Sequence, residues 1–302
     1  FCIADVILYS QVNFIRNQDP GFNRDQVLVI RGYGFQPYSV HENIQRQLLS
    51  DPTITSVGMS SVTPGEEVIE LSLRPKISVG NKENVMEVKR HAVDRQFFNT
   101  LSISFVAGRN FDDKLPGENR SVIINERAAR ELGFKDPKDI LLQQLSGIAQ
   151  DPVTVIGVVK DYHQRSYRSD FEPIVFVPAW SEDFGWDKKY HFIKFNPGNN
   201  VSSDWYHEKI AVVESAWKQS SQAPFNYFFL DSYFDNQYGA DISFSELFTF
   251  FSAFAIVITF LGLFGSVAGV IIYRTREIGI RKGLGASVSS ILVLLCRNFV
   301  AL

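Results

Sequence analysis

Residues 246–287 decide the architecture of this chain, and they read ELFTFFSAFAIVITFLGLFGSVAGVIIYRTREIGIRKGLGAS. No charged residue occurs from Leu247 to Tyr273, and about 20 apolar residues suffice to cross the hydrocarbon core of a membrane. At about 1.5 Å per residue this run reaches roughly 40 Å, which predicts a transmembrane helix that tilts or protrudes. Because an excess of Lys and Arg marks cytoplasmic flanks, we expect the end of the span that carries Arg274, Arg276, Arg281 and Lys282 to face the cytoplasm.

This orientation places the residues before the span outside the cytoplasm. The chain opens on another apolar segment, FCIADVILY, and a further apolar run begins at Val288. We therefore interpret the chain as a fragment in which one large outer domain lies between an incomplete membrane helix and a complete one. The predicted parts are a truncated transmembrane helix at 1–15, an outer domain at 16–240, a stalk and transmembrane helix at 241–273, a cytoplasmic juxtamembrane segment at 274–287 and the start of a truncated transmembrane helix at 288–302.

Composition excludes some classes of protein. The formal net charge is −3 and the only dense basic cluster follows the membrane span, so we expect no nucleic-acid partner. Both cysteines, Cys2 and Cys296, fall in the apolar terminal runs. The outer domain therefore has no disulfide and must be held together by its hydrophobic core.

The outer domain is predicted to be α+β, with two β-α-β units that flank an insertion. In the first unit (22–84), strands at Gln26–Ile30 and Ile54–Met59 enclose a helix that starts at Ser39, where Ser39 and Glu42 match a capping box. In the second unit (190–235), strands at Tyr190–Phe195 and Phe225–Leu230 enclose a helix capped by Ser202 or Ser203. The insertion (85–189) mixes short helices after Asp94 and Asn125 with predicted strands at Val85–Val93, Ser121–Ile124, Val153–Val159 and Ile174–Val177.

The sequence shows no catalytic, cofactor or metal motif. There is no phosphate-binding loop of the form G-x-x-x-x-G-K-[ST], no H-E-x-x-H pair and no G-x-S-x-G elbow. The best catalytic candidates are Asp161 and His163, in the polar stretch KDYHQRSYRSDFEP. Since residues two apart in a strand share a face without any function, a structural role is the favoured interpretation.

Small residues recur along the predicted span at spacings of three and four. Such a stripe lets helices approach closely in lipid, although glycine is also generally common in membrane helices. We favour close packing against a neighbouring helix, from the same subunit or a second one, through Gly262, Gly265, Ser266 and Gly269.

The segment RTREIGIRK admits two interpretations. A cluster that only sets membrane topology needs basic residues but not Glu277 or the glycines. A docking surface for a cytoplasmic protein accounts for the mixture of charged and apolar residues, and its candidate residues are Arg274, Arg276, Glu277, Ile278, Ile280, Arg281 and Lys282.

This segment and four other stretches resemble the MacB/FtsX-type ABC transporter permeases. The signature RTREIGIRKGLGAS follows the glycine-bearing helix LGLFGSVAGVIIY. The stretches VDRQFFNTLSISFVAGRNF, SVIINERAARELGF and VTVIGVVKDYHQRSYRSDFEPIVFVP are similar to the periplasmic core domain of that family, as is PFNYFFLDSYFDNQY. The resemblance covers nearly the whole chain and suggests the second half of a duplicated permease.

The resemblance implies a multi-pass protein of the bacterial inner membrane with a large periplasmic domain. That domain would comprise a porter-like part and an inserted Sabre-like part. The implied partners are a cytoplasmic ABC ATPase subunit, a second permease half or an identical subunit, a periplasmic adaptor and the lipid bilayer. The chain itself would not be an enzyme and would need no cofactor, because the ATPase subunit hydrolyses ATP.

Two functions remain open at this point. In the first, ATP-driven movement of the membrane helices moves the periplasmic domain, a mechanism called mechanotransmission, to export or extract a substrate. In the alternative, the chain is an FtsX-like signalling scaffold that activates a periplasmic cell-wall hydrolase. A membrane-anchored enzyme is disfavoured by the missing catalytic motifs.

Overall fold

The computed structural model describes residues 19–32, 37–66, 72–79, 82–165, 170–181, 190–198, 202–236, 239–285 and 287. The chain divides into two compact units, one of residues 14–240 and one that contains residues 241–302. The predicted truncated helices at 1–15 and 288–302 lie outside the described residues.

The first unit contains strands and short helices, and the second contains two helices. The strands are β1 (Val27–Arg31), β2 (Ile54–Ser60), β3 (Ser72–Leu73), β4 (Lys76–Val79), β5 (Lys82–Val85), β6 (Val88–Val93), β7 (Phe105–Gly108), β8 (Ser121–Asn125), β9 (Gln144–Leu145), β10 (Val153–Val159), β11 (Ile174–Pro178), β12 (Tyr190–Phe195) and β13 (Tyr227–Phe229). The helices are α1 (Tyr38–Leu48), α2 (Phe97–Thr100), α3 (Glu126–Glu131), α4 (Ser203–Ser220), α5 (Leu230–Asn236), α6 (Gly239–Tyr273) and α7 (Thr275–Gly283).

One half of the main sheet interleaves strands from both ends of the outer domain. Its order is β13-β1-β12-β2, and each neighbouring pair is antiparallel. Strands β1 and β2 therefore run parallel with β12 between them, and β12 and β13 run parallel with β1 between them. Each of these parallel pairs is joined by one helix, α1 or α4. Their apolar faces form a core with Leu28, Ile44, Val57, Ile193 and Trp217.

The other half of the sheet is formed by residues 88–178 and continues in the order β6-β11-β8-β10-β7. It joins the first half through the pairing of Ser60 with Val93. Strands β6 and β11 are parallel, as are β8 and β10. A second apolar cluster lies here and includes Val122, Val155 and Val177. The hairpin of β4 and β5 is a separate two-stranded sheet.

Several predicted elements are present within one or two residues, but four details were wrong. The capping box is absent, because α1 begins at Tyr38 and its N-cap Pro37 makes no side-chain hydrogen bond. The strand predicted at Val85–Val93 is interrupted at residues 86–87, where the chain changes from the hairpin to the main sheet. The strand predicted to end at Leu230 stops at Phe229, and Leu230 begins α5. Strands β3, β4, β7 and β9 were not predicted, and β5 was predicted only at its last residue, Val85.

Candidate functional site

Helix α6 carries a long apolar surface that stays exposed in the described part of the chain. It is the one helix in the described part of the chain that is long and apolar enough to cross a membrane, over Leu247–Tyr273. None of the apolar window is buried, and Phe264 is 74% exposed. Because such a surface is costly in water, the helix requires lipid or a protein partner around it.

The small residues predicted to pack against another helix lie on one side of α6. Spacings of three and four residues bring Gly262, Gly265, Ser266 and Gly269 onto one helical face. A Cβ atom added at Gly262, Gly265 or Gly269 would meet nothing within 4 Å. This face therefore has room for close approach of another helix.

Helices α6 and α7 are separated by one residue, Arg274. The Arg274 backbone has φ −99° and ψ 11°, outside the regular helix. The Thr275 hydroxyl donates to the carbonyl oxygens of Ile271 and Ile272 at 2.8 and 2.9 Å, and Ile278 N–H donates to the Arg274 carbonyl at 3.0 Å. The basic segment is therefore a helix with a defined start.

Helix α7 distributes the predicted docking residues over different faces. Ile278 and Ile280 are two residues apart, which puts their side chains on roughly opposite sides of the helix. Ile280 instead shares a side with Leu284, which directly follows α7, and the two side chains are 66% and 83% exposed. Sequence reasoning missed Leu284 because it considered the residues in chain order rather than by helical face.

The charges on α7 are partly paired. The carboxylate of Glu277 lies 2.7 Å from the Arg281 guanidinium, one helical turn away, with both side chains nearly half exposed. Arg276 and Lys282 are exposed. A partner would therefore meet exposed cations beside an apolar edge.

In the outer domain, α5 is packed firmly against the loop before β1. Phe234 is fully buried, and its ring centroid lies 5.6 Å from that of Phe22 in an edge-on contact. The Arg24 guanidinium lies 5.5 Å from the centre of the Phe234 ring and 2.6 Å from the Asp235 carboxylate. The last helix of the outer domain is thus fixed by an apolar contact and an ion pair.

The catalytic candidates Asp161 and His163 have structural surroundings. Arg127 N–H at the start of α3 donates to Asp161 Oδ1 at 2.7 Å, and the Arg130 guanidinium pairs with Asp161 Oδ2. His163 packs its ring on Phe171, with centroids 4.4 Å apart. Through these contacts Asp161 stabilises α3, which is a structural role. Among the described residues, no group of three or more His, Cys, Asp or Glu side chains could hold a metal ion.

Three buried side chains that sequence reasoning did not select form a hydrogen-bonded row. His41, His191 and Asp94 are each no more than 1% exposed. His41 Nδ1 lies 3.0 Å from His191 Nδ1, and His41 Nε2 lies 3.2 Å from Asp94 Oδ2. The other carboxylate oxygen, Asp94 Oδ1, accepts from Met59 N–H and Phe97 N–H at 2.8 and 2.9 Å. The sequence signals for this row were the position of His41 beside the apolar face of α1 and the prediction of Asp94 as the cap of the short helix that follows it.

Another buried histidine, His91 on β6, lies apart from this row. Complete burial lowers its pKa to about 3, with a smaller contribution from the Lys89 charge. Tyr162 Oη lies 3.3 Å from His91 Nδ1, and the Phe176 ring packs edge-on against the imidazole. His91 is therefore a neutral member of the core.

Comparison with known proteins gives a consistent picture. A profile of the MacB-like periplasmic core domain matches residues 6–204. The uncharacterized ABC transporter permease YvrN of Bacillus subtilis (strain 168) is 22% identical over 261 residues, which cover 82% of this chain and 59% of YvrN. The chain therefore spans about three fifths of the length of this curated relative.

Two solved structures are also similar. One is a domain of a putative permease protein from Porphyromonas gingivalis, with a TM-score of 0.42, 17% identity and coverage of 68% of this chain and 88% of that one. The other is the extracellular domain of the noncanonic ABC-type transporter YknZ from Gram-positive bacteria, with a TM-score of 0.43, 15% identity and coverage of 66% and 97%.

Proposed function

The chain belongs to the family of MacB-like periplasmic core domains, and from this premise we propose that it is the permease subunit of an ABC transporter. In this proposal the subunit couples ATP hydrolysis in a separate cytoplasmic subunit to movement of its outer domain. The movement serves export or extraction of a substrate. The catalytic groups for ATP hydrolysis lie in that separate subunit.

Each part of the chain then has a position relative to the membrane. The protein lies in the bacterial inner membrane and crosses it several times, with residues 16–240 in the periplasm. Residues 22–84 and 190–235 form the porter-like part of the outer domain, and residues 85–189 form the Sabre-like insertion. Helix α6 crosses the lipid bilayer, and residues 274–287 face the cytoplasm.

The contact that supports the proposed coupling is the packing of α5 against the loop before β1. Phe234 is buried against Phe22, which ties α5 to the residues that lead into β1. Residues 239–273 then form one helix of 35 residues, without an internal break. A helix of this length transmits displacement along its axis, because its backbone hydrogen bonds are all internal.

The proposed partners follow the exposed surfaces of the second unit. A second permease half, or an identical subunit, packs on the small-residue face of α6. A periplasmic adaptor completes the assembly on the outer side. The ATPase subunit docks on the juxtamembrane segment through Arg274, Arg276, Glu277, Ile278, Ile280, Arg281 and Lys282.

The docking proposal can be tested by purification of the full-length protein from its own membrane. We expect an ATP-binding subunit to copurify with the wild type. Exchange of Glu277→Arg together with Arg281→Glu keeps the intrahelical ion pair and the net charge but inverts the charge pattern, and it should reduce recovery of that subunit. The matched control is Glu214→Lys with Lys218→Glu, which inverts an exposed ion pair of the same spacing on α4.

The coupling is tested on the recovered complex. Addition of ATP should change hydrogen exchange in the outer domain, and a Gly-Ser-Gly-Ser insertion after Ser243 should abolish that change while ATP hydrolysis continues. Absence of any ATP-binding subunit from the wild-type preparation would reject the permease assignment. Recovery of a cell-wall hydrolase together with the ATPase, with no transported substrate, would favour the scaffold function.

A further inference from the structure

The buried row of Asp94, His41 and His191 connects three elements that are distant in sequence. His41 lies on α1, His191 lies on β12 between β1 and β2, and Asp94 follows β6. The two histidines are 150 residues apart in the chain. Their contact is a polar connection between α1 and the sheet inside an otherwise apolar core.

The geometry limits how many protons this row can hold. Backbone N–H groups occupy Asp94 Oδ1, so Asp94 Oδ2 accepts from His41 Nε2–H. The two Nδ1 atoms are 3.0 Å apart, which is the length of a hydrogen bond with one hydrogen between them. One histidine must therefore donate and the other must accept through its nitrogen lone pair.

Full protonation of both rings would break this contact. It would place two N–H groups head to head in the same 3.0 Å gap, and it would bring two cations together in a site closed to water. An imidazole exposed by opening of α1 or by unfolding becomes protonated below about pH 6.5. Acid thus favours the open arrangement, because only the open arrangement binds the extra proton.

The groups around the row do not remove this conflict. The carboxylate of Asp94 accepts from His41 and lies at the far end of the row from the gap between the two Nδ1 atoms. From α1, Tyr38 faces His41 with ring centroids 5.6 Å apart, and its pKa is raised by burial and then by Asp94 and Glu42, so it stays uncharged. From α4, the neutral indole of Trp217 packs edge-on against His191 at 5.2 Å. Further out, the charges of Asp113 and Arg95 act on Tyr38 with opposite signs.

We propose that the His41–His191 hydrogen bond is an acid-sensitive contact. It holds α1 on the sheet near neutral pH, and its loss in acid releases α1. The outer domain thereby acquires a pH-dependent state that depends on neither ATP nor a substrate. The release is local to α1, because Asp94, the residue of the 88–178 half that His41 contacts, stays held through its other oxygen by the N–H groups of Met59 and Phe97.

Hydrogen exchange of the whole chain in detergent micelles tests this proposal. Exchange is followed from about pH 7.5 to about pH 5.5, on either side of the ordinary imidazole pKa, and corrected for the intrinsic pH dependence of exchange. We expect the protection of residues 38–48 to fall about tenfold more than that of the β8 residues 121–125. In His191→Asn the side-chain amide can still contact His41 but does not titrate, so the extra loss should disappear.

His207→Asn is the matched control, because it removes one exposed histidine from α4 and should behave as the wild type. All of these proteins keep His91, whose acid response is therefore common to them. Equal loss of α1 protection in His191→Asn, or no extra loss in the wild type, would overturn the proposal. If His191→Asn does not fold, His41→Gln replaces it, since its amide can still donate to Asp94.

Discussion

The sheet of the outer domain and helix α6 are both rich in apolar residues, but their side chains have opposite surroundings. The strands β8, β10 and β11 are buried along nearly their whole length. Helix α6 exposes most of its large apolar residues, and none of its apolar window is buried. Hydrophobic composition alone therefore does not say what covers a surface. The sheet is covered by its own chain, whereas the apolar side chains of α6 are exposed in the described part of the chain.

Truncation of an aromatic side chain in the core of the sheet should have the largest effect on the free energy of unfolding. The same truncation on the exposed face of α6 should have none. Phe176 is fully buried and its ring contacts those of Phe97 and Phe98, so Phe176→Ala should lower the free energy of unfolding by about 3–5 kcal/mol. Phe264→Ala, on the exposed face of α6, should leave the urea midpoint of the outer domain unchanged. Tryptophan fluorescence in urea measures both. Equal destabilisation by the two substitutions would remove the distinction between the regions.

A charge introduced into α6 should have the next largest effect, and the affected quantity is the free energy of membrane insertion. Leu261→Lys places an ammonium near the middle of the apolar run, which should cost about 2.5–3.5 kcal/mol of membrane insertion. Leu142 in the outer domain is also largely exposed, so Leu142→Lys is the matched control and should insert as the wild type. The measurement is the inserted fraction of each variant. Normal insertion of Leu261→Lys would contradict assignment of α6 to the membrane.

The smallest effect is a dependence of sheet stability on pH. Because burial lowers the pKa of His91 to about 3, the folded protein binds fewer protons than the unfolded chain between that value and about 6.5. The stability that this difference contributes is present above about pH 6.5 and is lost as the pH falls, by about 2 kcal/mol at about pH 5.

Urea unfolding at several pH values measures this loss. His91→Asn removes the titrating group, so it should unfold with a smaller dependence on pH, although its stability near neutral pH is also lower. The same steepness in the variant would show that other groups determine the acid response of the sheet. Helix α6 has no acidic or basic residue in Leu247–Tyr273 and should contribute no such dependence.

Local sequence signals predicted much of the secondary structure. The cap of α3 is one example, since Asn125 Oδ1 accepts from Ala128 N–H at 3.0 Å as its position before the helix indicated. Ser202 likewise caps α4. The capping box at Ser39 failed because Pro37, with its fixed φ, already leads into the helix. The short strands β3 and β9 were missed because two residues carry no periodicity.

The resemblance to the MacB-type periplasmic core domain is confirmed by the family match over residues 6–204. The predicted roles of the α6 stripe and the α7 residues stay predictions. The structure changes how the α7 residues are grouped, because Ile278 and Ile280 point in different directions and Ile280 lies with Leu284. Helical geometry rather than chain order decides which side chains a partner can meet together.

The sequence by itself determined the apolar span, the charges that follow it and the family, because each depends on residues that are contiguous in the chain. Only the tertiary structure decided which distant residues meet. Pairing of β12 with both β1 and β2 carries His191 into the first β-α-β region, where it reaches His41 across 150 residues of sequence. No local pattern encodes such a contact, since strand order and helix packing arise from burial of the sheet as a whole.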